Sequence, residues 1–248
     1  MHPPIEICVE GIDGLIAAQN AGADRAELCA GLLEGGLTPS LGTVATALRE
    51  ARMPFHVMVR PRGGDFLYTA LEFATMLADV EALRAAGAAG VVCGCLLPDG
   101  QIDGARMRAL VAAAGPMNVT CHRAFDMTRD AAEAVEALVA AGVARVLTSG
   151  QRDSALEGID TIKATVAAAR GRLKVMACGG LDAVNIPRVL RETGADELHF
   201  AAQQTVASSM AFRNPHIGMG GTALAREFEL HLADQARIRA TIAAARAR

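Results

Sequence analysis

The stretch LVAAGVARVL (138–147) runs from an alanine-rich helix through a glycine into an apolar strand. Glycine suits the left-handed position that follows a helix, and it often precedes the next element. The same order occurs in AAQNAGADRAEL (17–28), LRAAGAAGVV (83–92) and RETGADELHF (191–200). Four such units in one chain predict an array of alternating helices and strands.

Eight strands are predicted, near 5–10, 26–30, 55–60, 90–95, 117–122, 144–149, 173–178 and 196–201, with a closing helix from about 222 to 247. Eight alternations without a break predict an α/β fold, a closed (β/α)8 TIM barrel, as a single domain over residues 1–248. An open doubly wound sheet is the alternative, because alternation alone does not demonstrate closure. The length of 248 residues and a composition that is 52% hydrophobic but 3% aromatic suit one aliphatic barrel core.

Charge and composition exclude several classes of function. The formal net charge of −3 offers no basic stripe for a phosphate backbone, so no nucleic-acid partner is expected. No basic lead precedes an apolar region at the start, and no apolar stretch approaches the ~18 residues of a membrane span. We therefore expect a cytoplasmic protein without a membrane partner. Six cysteines are too sparse for a disulfide scaffold and are expected to be free thiols.

Charged side chains alternate with apolar ones in the strands. In IEICVE (5–10) the isoleucines and the valine share one face, and Glu6, Cys8 and Glu10 share the other. The same alternation groups Glu27 with Cys29, His56 with Met58 and Arg60, Thr120 with His122, and Glu197 with His199. Because parallel strands of a barrel all end at one rim, these groups are expected to converge there.

Two of these residues are candidates for proton transfer. Glu10 and His122 each end a predicted strand and have neighbours that could shift their pKa values. In HRAFDM (122–127), Arg123 and Asp126 either orient a substrate or fix the loop through a salt bridge. His199 is a further candidate, from the last predicted strand.

Two glycine-containing turns and two arginines are candidates for binding a small anion. TSG (148–150) and CGGL (178–181) follow the sixth and seventh strands, where barrels often hold phosphate with backbone N–H groups. The candidate ligands in these turns are Ser149, Gly150, Gly179 and Gly180. The guanidinium groups of Arg60 and Arg62 could bind a carboxylate or phosphate bidentately. The alternative is that the glycines only turn the chain and the arginines pair with nearby carboxylates.

Six motifs carry a resemblance to a known family: EIC (6–8), GADRAELCAGLLEGGLTPS (22–40), VMVRPRGGDFLY (57–68), HRAFDM (122–127), RVLTSGQ (145–151) and FRN (212–214). In order and without large insertions, they resemble the CutC family, named for copper homeostasis. Two positions depart from the family pattern, Cys121 before HRAFD and Cys178 beside the glycines. Both add thiols near the rim.

The resemblance implies a cytoplasmic barrel, a homo-oligomer and copper homeostasis. Cys8 and Cys29 match the family's proposed Cu(I) ligands, and thiolates are soft donors that suit this ion. The alternative for the two cysteines is that they are small core residues. The alternative function is an enzyme, a lyase or isomerase that acts on an anionic and possibly phosphorylated metabolite. A purely structural oligomer is disfavoured by the polar barrel face.

The segment 202–221 is the longest stretch without a clear period. In a compact domain such a loop is usually a lid or an interface. Arg213, within FRN, either closes over a ligand or anchors the loop.

Overall fold

The protein is described by a computed structural model over residues 2–218 and 227–247. Eight strands form the barrel: β1 Ile5–Glu10, β2 Arg25–Cys29, β3 Phe55–Met58, β4 Gly90–Cys93, β5 Asn118–Cys121, β6 Arg145–Thr148, β7 Lys174–Ala177 and β8 Glu197–Phe200. The helices are α1 Gly11–Ala21, α2 Leu41–Glu50, α3 Ala70–Ala86, α4 Gly104–Ala114, α5 Ala131–Ala141, α6 Ile159–Ala169, α7 Ile186–Thr193 and α8 Gln235–Arg246. Strands and helices alternate from β1 to β8, as the sequence predicts.

The eight strands close on themselves. Each strand pairs in parallel with the next one, and β1 also pairs in parallel with β8, with Ile5 opposite Leu198. A continuous ring of pairs is incompatible with an open sheet, which would leave two edge strands. The predicted (β/α)8 barrel is therefore confirmed, and the doubly wound alternative is wrong.

Local sequence signals set the ends of the helices. After α5, Gly142 adopts a φ of 81° and its N–H group donates to the carbonyls of Leu138 and Val139. Residues with a side chain rarely adopt this conformation, which explains why glycine stands between helix and strand. At the start of α3, Thr69 and Glu72 form a reciprocal capping box. None of the helices in the described ranges is both long and apolar enough to pass through a membrane.

The two faces of the barrel strands differ as the alternation predicts. Ile5, Ile7 and Val9 are at most 1% exposed and belong to the large apolar core that includes residues of the helices. Glu6, which is fully buried, hydrogen-bonds side chains from β2 and β8. The interior of the barrel therefore holds charged groups where aliphatic side chains are usual.

The C-terminal segment differs from the sequence prediction. Residues Gln203–Ala207 (β9) and Glu229–Ala233 (β10) form a two-stranded antiparallel hairpin, and α8 begins only after it. The prediction that the closing helix begins at about 222 was wrong, because residues 229–233 pair with β9 and are therefore extended. Part of the predicted 202–221 loop is thus a strand, and residues 219–221 of it lie outside the described ranges. Arg213 donates to the carbonyl of Ser208 at 3.3 Å and stacks on Phe228, as expected for an anchor.

Candidate functional site

A cavity of about 310 Å³ opens at the C-terminal ends of the barrel strands. Its polar and sulfur-containing lining residues are Cys8, Glu27, Met58, Arg60, His122, Arg123, Cys178, His199 and Gln203, and its glycines are Gly35, Gly179 and Gly180. Apolar contacts come from Leu32, Phe66, Leu147, Leu181, Phe200 and Ala201. The volume is at the lower end of the range for small-molecule sites. The C-terminal rim is also where barrel enzymes place their ligands.

Below the cavity lies a buried network of charges, here called the ionic layer, formed by Glu6, Arg25, His56, Arg145, Glu197 and His199. Glu197 accepts from Arg25 at 2.5 Å and from Arg145 at 2.7 and 2.9 Å. Arg25 also binds Glu6. Two guanidiniums and two carboxylates thus balance one another, which is what permits charge inside the barrel.

The ionic layer orients His199, whose ring reaches from it into the cavity. Nδ1 of His199 lies 2.8 Å from Oε1 of Glu6, and Nε2 lies 3.7 Å from Oε2 of Glu27. Burial lowers the pKa of His199, but the charge of Glu27 and the contacts with Cys8 and Glu6 hold it well above its usual value. Burial raises the pKa of Glu6, yet the hydrogen bond from His199 and the surrounding cations hold it well below the usual range. His199 and Glu6 are therefore an imidazolium–carboxylate pair.

Two thiols and a carboxyl group meet beside His199. Sγ of Cys8 lies 3.9 Å from Sγ of Cys29, and Sγ of Cys29 lies 3.6 Å from Oε2 of Glu27. The hydrogen bond from Cys29 holds the pKa of the Cys8 thiol well below its usual value, although burial opposes this. Burial raises the pKa of Glu27 well above its usual value. Ligand atoms of Cys8, Glu27 and His199 all lie within 4.8 Å of one another, close enough to share one metal ion.

His122 lies on the part of the cavity wall that follows β5. Its Nδ1 accepts from the N–H group of Ala124 at 3.1 Å, so Nε2 carries the proton in the neutral ring. Burial, with the charge of Arg60, lowers the pKa of His122 to about 3. Nε2 is buried and has no hydrogen-bond partner among the described residues. The ring is therefore a neutral hydrogen-bond donor, which fits it less well for the proton transfer predicted from the sequence.

Arg60 also lines the cavity, whereas Arg62 does not. The guanidinium of Arg60 donates to the carbonyls of Glu34, Gly36 and Gly64, at 2.6 to 3.2 Å. Arg62 instead pairs with Asp65 and Glu72 on the outer side of the loop. The sequence predicted that both arginines could bind an anion at the rim. In the structure, Arg60 lines the cavity and Arg62 does not.

Glu10 does not line the cavity either. Its carboxylate is exposed and accepts from the N–H groups of Gly31 at 2.9 Å and Leu32 at 3.2 Å. It therefore fixes the loop after β2. Its position corrects the prediction that it meets His122 in one pocket, because the carboxylate turns toward the backbone of a neighbouring loop.

Asp126 holds the loop after β6 in place. Its carboxylate accepts from the N–H and hydroxyl groups of Ser149, from the hydroxyl of Thr148 and from the N–H of Gln151, at 2.5 to 3.1 Å. It also accepts from Arg123 at 2.8 Å. These hydrogen bonds give Asp126 a structural role in the loop. They also use the N–H group of Ser149, which was predicted to bind an anion.

Gly150 has a packing function in the same loop. Its N–H group donates to the hydroxyl of Thr148 at 2.9 Å, and a side chain at this position would lie 2.2 Å from the carbonyl oxygen of Gly158. Ser149 and Gly150 are not among the residues that line the cavity. Of the predicted anion ligands, the structure brings together Arg60, Arg123, Gly179, Gly180 and His199.

The arginines of the ionic layer, Arg25 and Arg145, were not identified as important from the sequence. Both begin their strands, where a charged residue ordinarily faces solvent. The available signal was the alternation in RAELC, which places Arg25 on the same face as Glu27 and Cys29. His56, which is 3% exposed and faces Glu6 at 3.8 Å, belongs to the same interior set.

Comparison with known proteins identifies the family. The family model described as the CutC family matches residues 4–204. A protein from Mesorhizobium japonicum named as a CutC family protein is 63% identical over 245 residues, covering 99% of this chain and 95% of that protein. The human protein named "Copper homeostasis protein cutC homolog" is 43% identical over 235 residues, covering 95% and 86%. A crystal structure of CutC from Streptococcus agalactiae superposes with a TM-score of 0.76 at 33% identity, covering 80% of this chain and 98% of that one. The chain therefore belongs to the CutC family.

Proposed function

We propose that this protein binds Cu(I) as a cargo ion through the thiolates of Cys8 and Cys29. The observation that carries the proposal is the 3.9 Å separation of the two sulfur atoms. With metal–thiolate bonds of about 2.3 Å, as found for zinc, sulfurs that share one ion can lie up to ~4.6 Å apart. The pair fits that limit without a change of the backbone.

The surroundings of the pair suit a soft monovalent cation. Cys29 is 1% exposed and packs with Met58 and Val92, while Cys8 lines the cavity, so an ion could enter from one side only. Cys8 is held as a thiolate beside the Cys29 thiol, and soft sulfur donors favour Cu(I). Binding would release the proton of Cys29. Copper homeostasis is the process in the name of the human relative.

The test is Cu(I) binding by the intact protein without oxygen, in competition with a chromophoric Cu(I) chelator. We expect the Cys8→Ser/Cys29→Ser double variant to lose at least about a hundredfold in affinity, because it removes both soft donors. Cys178→Ser is the matched control, since this buried thiol lines the same cavity but is not part of the pair. It should bind Cu(I) like the wild type. Unchanged affinity in the double variant would refute the proposal, and circular dichroism checks that each variant is folded.

We also propose that the protein acts in the cytoplasm as a homo-oligomer. All six cysteines are free, which suits a reducing compartment. Val184, Leu71, Leu33 and Phe212 are 75 to 88% exposed, and large exposed apolar side chains are typical of interfaces. Sedimentation velocity should give a mass of at least twice the 25.7 kDa of one chain. A monomer at micromolar concentration would contradict the second part of the proposal.

A further inference from the structure

The thiolate pair leaves much of the cavity without a function. One residue of the cavity wall, His122, carries a buried side-chain nitrogen, Nε2, that has no partner in the described ranges. Buried polar groups are nearly always hydrogen-bonded in native proteins, and groups that are not require an explanation. An unpaired donor in the wall of a cavity indicates that an acceptor oxygen of a ligand completes its bonding.

The glycine turn after β7 adds backbone donors to the same cavity. Gly179 and Gly180 have φ values of 95° and 67°, and they line the cavity together with Leu181. Throughout residues 2–218 and 227–247, no acceptor is paired with the N–H groups of these three residues. Consecutive free N–H groups in a turn form a concave site for an anion. A side chain at 179 would lie 2.9 Å from Cβ of Ser149, so the turn requires glycine there on steric grounds as well.

Arg123 supplies a positive charge whose position is fixed by other bonds. Its Nε donates to Asp126 at 2.8 Å, and its Nη2 donates to the hydroxyl of Ser149 at 2.6 Å and the carbonyl of Arg152 at 3.2 Å. These bonds use one edge of the guanidinium, and the residue lines the cavity. The structural bonds of Asp126 and Ser149 thus hold Arg123 in position toward the cavity.

The charge balance of the cavity also favours an anion. Its described lining residues carry the guanidiniums of Arg60 and Arg123 and the His199 imidazolium, against the Cys8 thiolate and the carboxyl group of Glu27. Three backbone N–H groups and a guanidinium together match the three terminal oxygens of a phosphate better than the two oxygens of a carboxylate. A cavity of about 310 Å³ leaves room for a few further atoms beyond the phosphate.

We propose that this cavity binds a small phosphate monoester, independently of copper. The phosphate group accepts from the N–H groups of Gly179, Gly180 and Leu181 and from the guanidinium of Arg123. A hydroxyl or carbonyl oxygen of the ligand accepts from Nε2 of His122, which satisfies that buried donor. No thiol takes part, so the site is distinct from the Cu(I) site. Such binding is what an enzyme acting on a phosphorylated metabolite would need.

The decisive test uses two variants at one position. Gly180→Asn and Gly180→Asp have side chains of nearly equal size, both residues tolerate the left-handed conformation, and a Cβ at 180 lies 3.7 Å from its nearest neighbour, Ser154. Titration calorimetry with inorganic phosphate, at fixed ionic strength and without copper, should give saturable binding to the wild type. Both variants place a side chain beside the bound anion, and Gly180→Asp should bind phosphate at least about tenfold more weakly than Gly180→Asn, because only its carboxylate repels the anion.

A second pair of variants tests the arginine. Arg123→Gln should weaken phosphate binding about ten- to hundredfold, as expected for loss of a charged hydrogen-bond donor. Arg152→Gln is the matched control, because this exposed side chain removes the same charge near the same rim but outside the cavity. Its phosphate affinity should stay within about threefold of the wild type. Equal losses of affinity in both variants would mean that the effect comes from the overall electrostatic field of the protein. That result would overturn the assignment of Arg123 as a phosphate ligand.

The organic part of the ligand is tested with glycerol 3-phosphate. It should bind more tightly than inorganic phosphate to the wild type, and His122→Phe should remove that difference while leaving phosphate binding intact. The Cys8→Ser/Cys29→Ser variant should bind both compounds normally, which separates this site from copper binding. The proposal is overturned by a wild type that does not bind phosphate, or by equal affinities of Gly180→Asp and Gly180→Asn. Thermal unfolding checks that every variant is folded.

Discussion

The Glu197→Gln variant is expected to lose about 3–5 kcal/mol of unfolding free energy, as found when one partner of a buried ion pair is removed. Glu197 has a side chain that is 8% exposed and accepts three hydrogen bonds from Arg25 and Arg145. Arginine does not lose its proton in proteins, so both guanidiniums stay charged after the change. One carboxylate, Glu6, would then remain for two guanidiniums and the His199 imidazolium. Urea unfolding at pH 7 measures the loss.

The exposed pair of Glu192 with Arg188 provides the control. Nε of Arg188 and Oε1 of Glu192 lie 3.0 Å apart, slightly farther than the atoms of the Glu197 pairs, and the side chains of Glu192 and Arg188 are 36 and 56% exposed. Glu192→Gln should therefore cost less than about 1 kcal/mol. Replacing both Glu197 and Arg145 by apolar residues, in Glu197→Leu/Arg145→Met, should be less harmful than Glu197→Gln alone, because fewer buried charges are left unpaired. A loss of unfolding free energy below about 1 kcal/mol in Glu197→Gln would show that the ionic layer contributes little to stability.

The Gly158→Ala variant is expected to lose about 3 kcal/mol, the upper end of the usual range for overpacking. A Cβ atom at 158 would lie 1.9 Å from the carbonyl oxygen of Ser149 and 2.8 Å from Cα of Gly150. Both neighbours are backbone atoms, which cannot move aside as the end of a flexible side chain can. The φ of Gly158 is −94°, so the cost comes from the overlap and not from a left-handed conformation. Thermal and urea unfolding measure it.

Gly42→Ala is the matched control and should act in the opposite direction. Gly42 lies within α2, and a Cβ atom there would meet nothing closer than Oγ of Ser40 at 3.8 Å. The change should stabilise the protein by about 0.5–1 kcal/mol, because alanine loses less backbone entropy in a helix. If Gly158→Ala is as stable as Gly42→Ala, the close contact within the loop after β6 is not needed for folding.

The architecture was accessible from sequence because its signals are local. Gly142 marks a helix end through the conformation of one residue, and the alternation in IEICVE sorts the faces of one strand. Neither inference needs to know what packs nearby. The extended segment Glu229–Ala233 was misjudged for the opposite reason, since its strand conformation depends on pairing with Gln203–Ala207, more than twenty residues earlier.

The candidate site was only partly accessible for a related reason. The type and strand of Cys8, His122, Arg123 and His199 can be read from the sequence, and all four line the cavity. Glu10 and Arg62 also lie at or just after the ends of barrel strands, yet their side chains turn to other partners. Whether a strand-end side chain enters the cavity depends on which donor or acceptor lies within hydrogen-bond distance, and that depends on neighbouring loops.

The sequence by itself determined the alternation of strands and helices, the polar character of the barrel interior and the family resemblance that the comparisons confirm. Only the tertiary structure decided that Arg25 and Arg145 meet Glu197 inside the barrel, and that Cys8 and Cys29 approach to 3.9 Å. The physical reason is closure. Residues far apart in the chain face one another only when the eighth strand pairs with the first, and the balance of buried charges exists only in that closed arrangement.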